Sequence, residues 1–312
     1  MKWVFTTIIG AFLTTEKYDI LTHLPYKTTD NPKKRKEITA NLLKKNPDAK
    51  EASQEHHLQF ISKLKEKKYF ALFREQDLVL TTKAVREAVN QDVLLSHAVK
   101  NMEELDKSAS LLIKRLREWY ELYLPEFSRS TQNHEAFVHI ILEKSKKQLA
   151  EELNLNEEDS MGAPLAKEDV NEMMLLAQLL DNTYKLRERH LVYLDLILKR
   201  YTPNMHVLCG TTITAKLLER AGGLKKIALL PSSTVQLLGA EKALFRHLTQ
   251  GSRSPKHGLI HEHPLIQKAR KQDRGKVARA LAERISMASR LDYFKGEFKG
   301  LEYKKELEER FK

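Results

Sequence analysis

Apolar residues fall in short blocks only in the first quarter of the chain. Residues 3–8, 11–14 and 20–26 gather Trp, Val, Phe, Ile, Leu and Tyr around Gly10 and a polar stretch at 15–19, and read as three strands. Residues 34–45 and 51–68 carry helical spacing, with Pro47-Asp48 as the break between them. A further apolar block, at 69–73 or 78–80, predicts a last strand. These elements make a small α/β domain, assigned to residues 1–84.

From Val85 the period changes. Leu95, Ala98, Met102, Leu105, Ala109, Leu112, Leu116, Trp119 and Tyr123 recur at alternating steps of three and four, and Pro125 ends the run. Met173, Ala177, Leu180, Tyr184, Arg187, Leu191, Leu194, Leu198 and Tyr201 do the same up to Pro203, with Arg187 as the interruption. Each stripe predicts a helix of about 43 Å at ~1.5 Å per residue. Matched lengths predict an antiparallel coiled-coil hairpin over 85–204, with an insert at 126–168 that holds a helix over 134–153 and a loop over 154–167. Two helices cannot cover their own apolar surface, so a partner hairpin is expected, with Met102, Leu105, Leu112 and Leu180 at a homodimer contact. A bundle core would explain the stripes equally well.

Beyond Pro203 the pattern is short helices. One over 211–220 ends at Ala221-Gly222-Gly223. Ser233 and Gln236 after Pro231 fit a capping box. That helix reaches Gly239, a new one runs over 240–248, and a basic loop follows over 251–258. A long helix over 273–294 precedes a charged stub. The boundaries predicted are a helical domain over 205–300 and a tail over 301–312. The fold class is mainly α, with a small N-terminal α/β domain, a long antiparallel coiled-coil hairpin and an all-helical C-terminal domain.

Charge divides the chain more sharply than hydropathy does. Of 54 Lys+Arg and 42 Asp+Glu, residues 203–312 hold 22 and 11, while residues 1–202 are almost neutral. A neutral body with a basic last third points to a polyanion partner. The single cysteine, Cys209, excludes a disulfide framework and a zinc ribbon, and predicts a reducing cytosol. No stretch approaches the ~20 apolar residues of a membrane span. The block 3–13 is broken by Thr6, Thr7 and Gly10 and lacks a small-x-small cleavage site.

Candidate chemistry is sparse. There is neither a Gly-x-Gly-x-x-Gly loop nor a Gly-Lys-Ser/Thr phosphate loop, and no cofactor, metal or catalytic residue is assigned. His257, His261 and His263 cluster within a basic segment, where hydrogen bonding to phosphate is the better reading than metal ligation. At 239–242 a helix start leaves the amides of Ala240, Glu241 and Lys242 to meet an anion. Lys242 and Arg246 share a face, with Arg253 and Lys256 following and Arg274, Lys276, Arg279 and Arg290 on the last long helix. Such a set suits phosphate oxygens rather than base edges.

The same residues carry a family pattern. Ala221-Gly222-Gly223-Leu224, the run from Pro231 through Gly239-Ala240-Glu241-Lys242-Ala243-Leu244-Phe245-Arg246-His247-Leu248, His263-Pro264-Leu265-Ile266 and Arg274-Gly275-Lys276-Val277-Ala278-Arg279 resemble the signature of the Nop domain family. Arg115-Leu116-Arg117-Glu118-Trp119-Tyr120 with Pro125 is similar to it too. The resemblance covers residues 100–295 and is nearest to the archaeal scaffold subunit of the box C/D guide-RNA methylation particle. It implies an N-terminal domain that holds fibrillarin and a coiled coil that self-dimerises. A helical domain would grip box C/D guide RNA carrying a kink-turn-binding, ribosomal-protein-like subunit. It also implies that residues 239–246, with Gln236, Phe245 and His247, face RNA. Residues 1–80 match loosely, Arg270 stands where a proline is expected, and the chain has no Lys-rich tail, which favours an archaeal, cytoplasmic setting. The function implied is a non-catalytic scaffold for 2′-O-ribose methylation. The alternative is a splicing-type module with no methyltransferase partner.

Overall fold

The computed structural model describes residues 2–27, 31–65, 67–155 and 160–311. Part of the loop predicted over 154–167, one residue of the helix predicted over 51–68, and Lys312 of the tail lie outside these. The chain divides into two compact units, residues 1–90 and 91–312.

The first unit is a four-stranded sheet in the order β3-β2-β1-β4, formed by β1 (Lys2–Thr6), β2 (Gly10–Thr14), β3 (Ile20–Pro25) and β4 (Ala49–Glu51). β1 pairs antiparallel with β2 and parallel with β4, and β2 antiparallel with β3. Period-two alternation sends Val4, Ala11 and Leu13 to one face, where they pack with Tyr26 and with Leu42 of α1 (Pro32–Lys45). Phe5 and Phe12 go to the other face, against Phe60 of α2 (Gln54–Lys63) and Tyr69 of α3 (Lys67–Ala88). The last strand predicted at 69–73 or 78–80 is instead part of α3, a continuous helix that also crosses the boundary predicted at residue 84. Its apolar residues are spaced for a helix face, and Phe70, Phe73, Leu78 and Val79 stay exposed, which a half-buried strand would not allow.

The second unit begins with the two long helices, α4 (Gln91–Tyr120) and α8 (Lys167–Tyr201). They run antiparallel, with Asn101 beside His190 and Asp106 paired with Arg187, the residue that interrupts the second stripe. Between them lie α5 (Pro125–Ser130), α6 (His134–Glu143) and α7 (Lys146–Glu152). The helix predicted over 134–153 breaks at Ser145, whose hydroxyl caps α7 in a closed capping box with Gln148. A tip core of Ile113, Leu116, Tyr120, Phe137, Leu149, Met173 and Leu180 holds these helices to the hairpin. Arg117 braces them from the side: it donates to the carbonyls of Ser128 and Thr131 and lies 4.4 Å above the Phe137 ring.

Pro203 ends α8 and starts α9 (Pro203–Ala221), which closes at Gly222 as its glycines predict. There follow α10 (Leu224–Leu229), α11 (Ser232–Leu237), α12 (Glu241–Gln250), α13 (Pro264–Lys268), α14 (Arg274–Tyr293) and α15 (Gly300–Arg310). One core takes in Leu95, Ala98 and Val99 of α4, Leu194 and Leu198 of α8, and the inner faces of α9 and α14. The base of the hairpin and the C-terminal helices are therefore one body, and no boundary falls at 204. The segment predicted as a tail is α15, whose Tyr303 and Leu307 are buried in that same core.

A buried polar cluster fixes the start of α9. Asp292 of α14 accepts from the Asn204 amide N–H and side chain at 3.0 and 2.8 Å, and from the Met205 N–H at 3.0 Å. The Asn204 side-chain oxygen accepts in turn from the N–H groups of Lys299 and Gly300 at 2.7 and 2.8 Å. Asp292 therefore ties the first turn of α9 to α14, and Asn204 ties it to α15. Burial pushes the Asp292 carboxyl pKa up, against the three donors that hold it ionised. Asp292→Ala removes a carboxylate cap and leaves Asn204 and Met205 donors buried without acceptors. We expect it to destabilise the second unit by about 2–4 kcal/mol, with Asp292→Asn closer to the parent. Thermal unfolding followed by circular dichroism checks both.

Candidate functional site

The basic surface is built from two segments that the backbone holds together. The chain leaves α11 through Leu238 and turns at Gly239, whose φ is +86°, before α12 begins at Glu241. A Cβ at 239 would lie 2.5 Å from Leu259 Cγ, so torsion and packing both demand glycine. The Gly239 N–H donates to Glu241 Oε1 at 2.7 Å, and the Ala240 N–H to the Leu237 carbonyl at 2.8 Å. The Ala240 amide, expected to be open to an anion, is thus occupied. Among the described residues the open donors at the head of α12 are the amides of Glu241, Lys242 and Ala243.

The second segment is the loop 251–259. The Gly258 N–H donates to the Gln236 carbonyl at 2.8 Å and the Leu259 N–H to the Leu238 carbonyl at 2.7 Å. Gln236 Nε2 donates to the Lys256 carbonyl at 2.6 Å. Gln236 is therefore spent on the loop, and the capping box predicted with Ser233 does not form: α11 starts after Pro231 without a side-chain cap. These bonds bring Lys256 and His257 beside the Gly239 turn. At the far end of α12 the His247 ring bonds the Ser252 carbonyl, so the loop is tied at both ends. The His257 and His261 rings stack 4.3 Å apart. Burial lowers the His257 pKa, and His261, Arg274 and Lys256 lower it further, which keeps the ring neutral near pH 7.

The helix this turn presents has no buried residue at all. Phe245 is 66% exposed and Leu248 74%, while Lys242 and Arg246 stand exposed one turn apart. No described element of the chain covers the apolar side. An amphipathic helix left in this way is a surface for something else.

Gln236, Gly239, Ala240, Glu241, Lys242, Phe245, Arg246, His247, Arg253 and Lys256 thus belong to one surface. Arg274 borders it through His257, but its guanidinium is turned inward onto the carbonyls of Ala269 and Gln267. Lys276 does not join them: it lines a separate cleft formed by α9, α13 and α15. Arg279 is exposed further along α14, and nothing ties it to the turn. The sequence reading missed Gly258 and Leu259, which act through their backbone; the only signal was a second glycine closing the basic loop. Cys209 is buried, and burial pushes its thiol pKa up, as suits a core residue. Among the described residues no group of His, Cys, Asp or Glu is arranged to hold a metal ion, and no helix is long and apolar enough to cross a membrane.

Sequence comparison decides what kind of chain presents this surface. The family described as "Nop: snoRNA binding domain, fibrillarin" matches residues 101–312. The chain belongs to the Nop family. A NOP5 family protein of Methanocaldococcus jannaschii is 37% identical over 229 residues, which are 69% of this chain and 55% of that one. Nucleolar protein 58 of Candida albicans is 32% identical over 65% of this chain and 42% of its own length. Nucleolar protein 58 of Saccharomyces cerevisiae is 32% identical over 64% and 42%. The chain spans about half the length of these Nop relatives. A chain from a crystal structure of a fibrillarin/Nop5p complex aligns over 99% of this one and all of its own, at 21% identity and a TM-score of 0.47.

The Nop family match starts within α4 and takes in the hairpin and all the C-terminal helices. Of the residues expected at a dimer contact, Leu180 needs correction here. Leu180 is fully buried in the tip core, Leu112 packs against that core and Met102 against the C-terminal one, and Leu105 is half-buried on the same α4 stripe. Leu180 and Leu112 thus serve the hairpin's own tip core. A second stripe on α8 is exposed instead: Leu175, Leu179, Leu186, Tyr193 and Leu196, at heptad spacing through Asn182 and Arg189.

Gly239→Ala should strain the turn and push Leu259 aside. Hydrogen exchange of the amides in 236–260 is expected to accelerate by roughly tenfold, while the melting temperature of the second unit changes little.

Proposed function

We propose that this chain is a non-catalytic scaffold of a box C/D guide ribonucleoprotein that directs 2′-O-ribose methylation. The observation that carries the proposal is α12, an uncovered helix that exposes Phe245 and Leu248 beside the cations Lys242 and Arg246, in a chain of a family described by RNA binding and fibrillarin. The open amides at its head, with Lys242, Arg246 and Lys256, suit a few RNA phosphates. The apolar side suits a protein already seated on the RNA, which is the kink-turn-binding subunit. A composite surface of this kind binds the assembled pair and neither part alone.

The first unit is the seat for fibrillarin. Its α2 and α3 leave Leu58, Ile61, Phe70 and Phe73 exposed, which favours an apolar contact and disfavours the splicing-type reading, where no methyltransferase is recruited. The exposed stripe on α8 is the homodimer contact, since one hairpin leaves it bare. Methyl transfer itself is assigned to fibrillarin. Higher identity to the archaeal relative (37%) than to the fungal ones (32%) supports an archaeal, cytoplasmic setting.

Lys242→Ala with Arg246→Ala should abolish capture of a kink-turn RNA carrying its protein, while the dimer and fibrillarin binding persist. Gel-shift titration checks this; an unchanged shift would overturn the RNA assignment. Leu179→Asp with Leu186→Asp should halve the mass seen by light scattering without loss of helicity. Leu180→Asp buries an unpaired charge and should instead unfold the hairpin tip, costing several kcal/mol.

A further inference from the structure

A second basic surface lies outside the α12 interface. Helix α9 is broken at Gly210, whose φ of 74° and ψ of 174° are not helical. Beside the break opens a cavity of about 1260 Å³. Its floor holds Leu208, Cys209, Val277 and His263, and cations reach it from three directions: Lys268 and Arg270 around the end of α13, Lys276 from the first turn of α14, and Lys304 and Arg310 from α15. Asp273 and Glu308 line the same space, which leaves a formal excess of three positive charges.

Three properties of this cleft point to its occupant. None of the five cations makes an ion pair among the described residues, although Lys216, Lys299 and Arg284 elsewhere in the unit do. Like charges gathered in excess of the two carboxylates, and paired with neither, favour a polyanion. The floor contributes no competing charge: the buried His263 bonds the Leu208 carbonyl through Nε2 at 3.0 Å and accepts the Leu265 N–H at Nδ1. At the rim Phe311 is half-buried, with the Arg310 guanidinium 5.4 Å from its ring centroid. Cations beside an aromatic face are what unpaired nucleotides use, phosphates on the first and a base on the second. The volume also exceeds the roughly 300–1,000 Å³ of small-molecule pockets, which suits an extended strand better than a lone phosphate.

We propose that this cleft holds a single-stranded stretch of RNA, with phosphates on Lys268, Arg270, Lys276, Lys304 and Arg310 and a base against Phe311. The strand would belong to the RNA held at α12, so the inference extends the RNA-holding role proposed above and rests on it. The two surfaces meet at the first turn of α14: a Cβ on Gly275 would touch the Lys256 side chain at 3.4 Å, and the next residue, Lys276, lines the cleft.

Fluorescence anisotropy of the full chain with a short labelled oligouridine tests this. Arg270→Ala with Lys304→Ala should weaken binding at least tenfold and flatten the plot of log K against log salt by about 1.4, at ~0.7 per lost single-strand phosphate contact. Phe311→Ala should weaken it about fivefold, the scale of one base–aromatic stack. Inorganic polyphosphate should compete less well than unlabelled oligouridine. The substituted cations are exposed, and unchanged melting curves confirm folding. Parental affinity in the double variant overturns the proposal. So does polyphosphate competing equally while Phe311→Ala has no effect, which would mean charge without a strand site. The α12 double variant separates the two readings. If it loses the kink-turn complex while the cleft variants bind oligouridine normally, the cleft fails and the scaffold reading stands. If it keeps that complex while the cleft variants lose oligouridine, the α12 assignment fails and the cleft stands.

Discussion

The helical unit depends on one buried carboxylate. Asp292 accepts three N–H groups from the first turn of α9, and Asn204, held by the same carboxylate, accepts two more from the start of α15. A buried charge is tolerable only when it is hydrogen-bonded in this way. The arrangement sets the direction in which the chain turns from α8 into α9 at Pro203. Because the hairpin base packs into the same core as α9 and α14, the exposed stripe on α8 and the α12 surface belong to one body. Rigidity between two exposed surfaces within one body is what the proposed scaffold needs.

The surface carried by that body is specified mainly by backbone. Gly239, Gly258 and Gln236 form a small knot of hydrogen bonds that lifts α12 off the core and lays Lys256 next to it. The apolar side of α12 gains nothing from folding, since Phe245 and Leu248 remain in water. Their burial free energy, about 2 kcal/mol for each large side chain, is available to a partner. Charge favours the same segment, because residues 203–312, which hold α12 and the cleft, carry 22 Lys+Arg against 11 Asp+Glu. In the first unit α2 and α3 leave Leu58, Ile61, Phe70 and Phe73 exposed.

Much of this was legible in the chain. Heptad spacing announced both long helices, and period-two blocks announced three of the four strands, because burial on one face leaves a periodic trace. The fourth strand, only three residues beside Pro47, left none. The block at 69–80 misled because an exposed apolar helix face and a short strand look alike without a length test. The 134–153 helix concealed a capped break at Ser145, visible only once the Gln148 side chain is seen to close it. Gly239 and the cations of α12 were readable as a motif. The seam residues were readable as apolar but not as internal: Leu180 and Leu179 are equally hydrophobic, and only the partner helix decides which one is buried. The α15 contact and the cleft behind Gly210 were invisible, since they join segments far apart in sequence.

The central claim is that this chain connects guide RNA to a methyltransferase that cannot find its target alone. The most direct measurement is transfer of labelled methyl groups from S-adenosylmethionine to a target RNA paired with its guide. The guide would carry the kink-turn-binding protein, with fibrillarin present and this chain either added or withheld. The account expects transfer to one guided nucleotide only when the chain is present, and none from the chain with S-adenosylmethionine but without fibrillarin. Guided transfer at the same rate in its absence, or transfer by the chain alone, would contradict it.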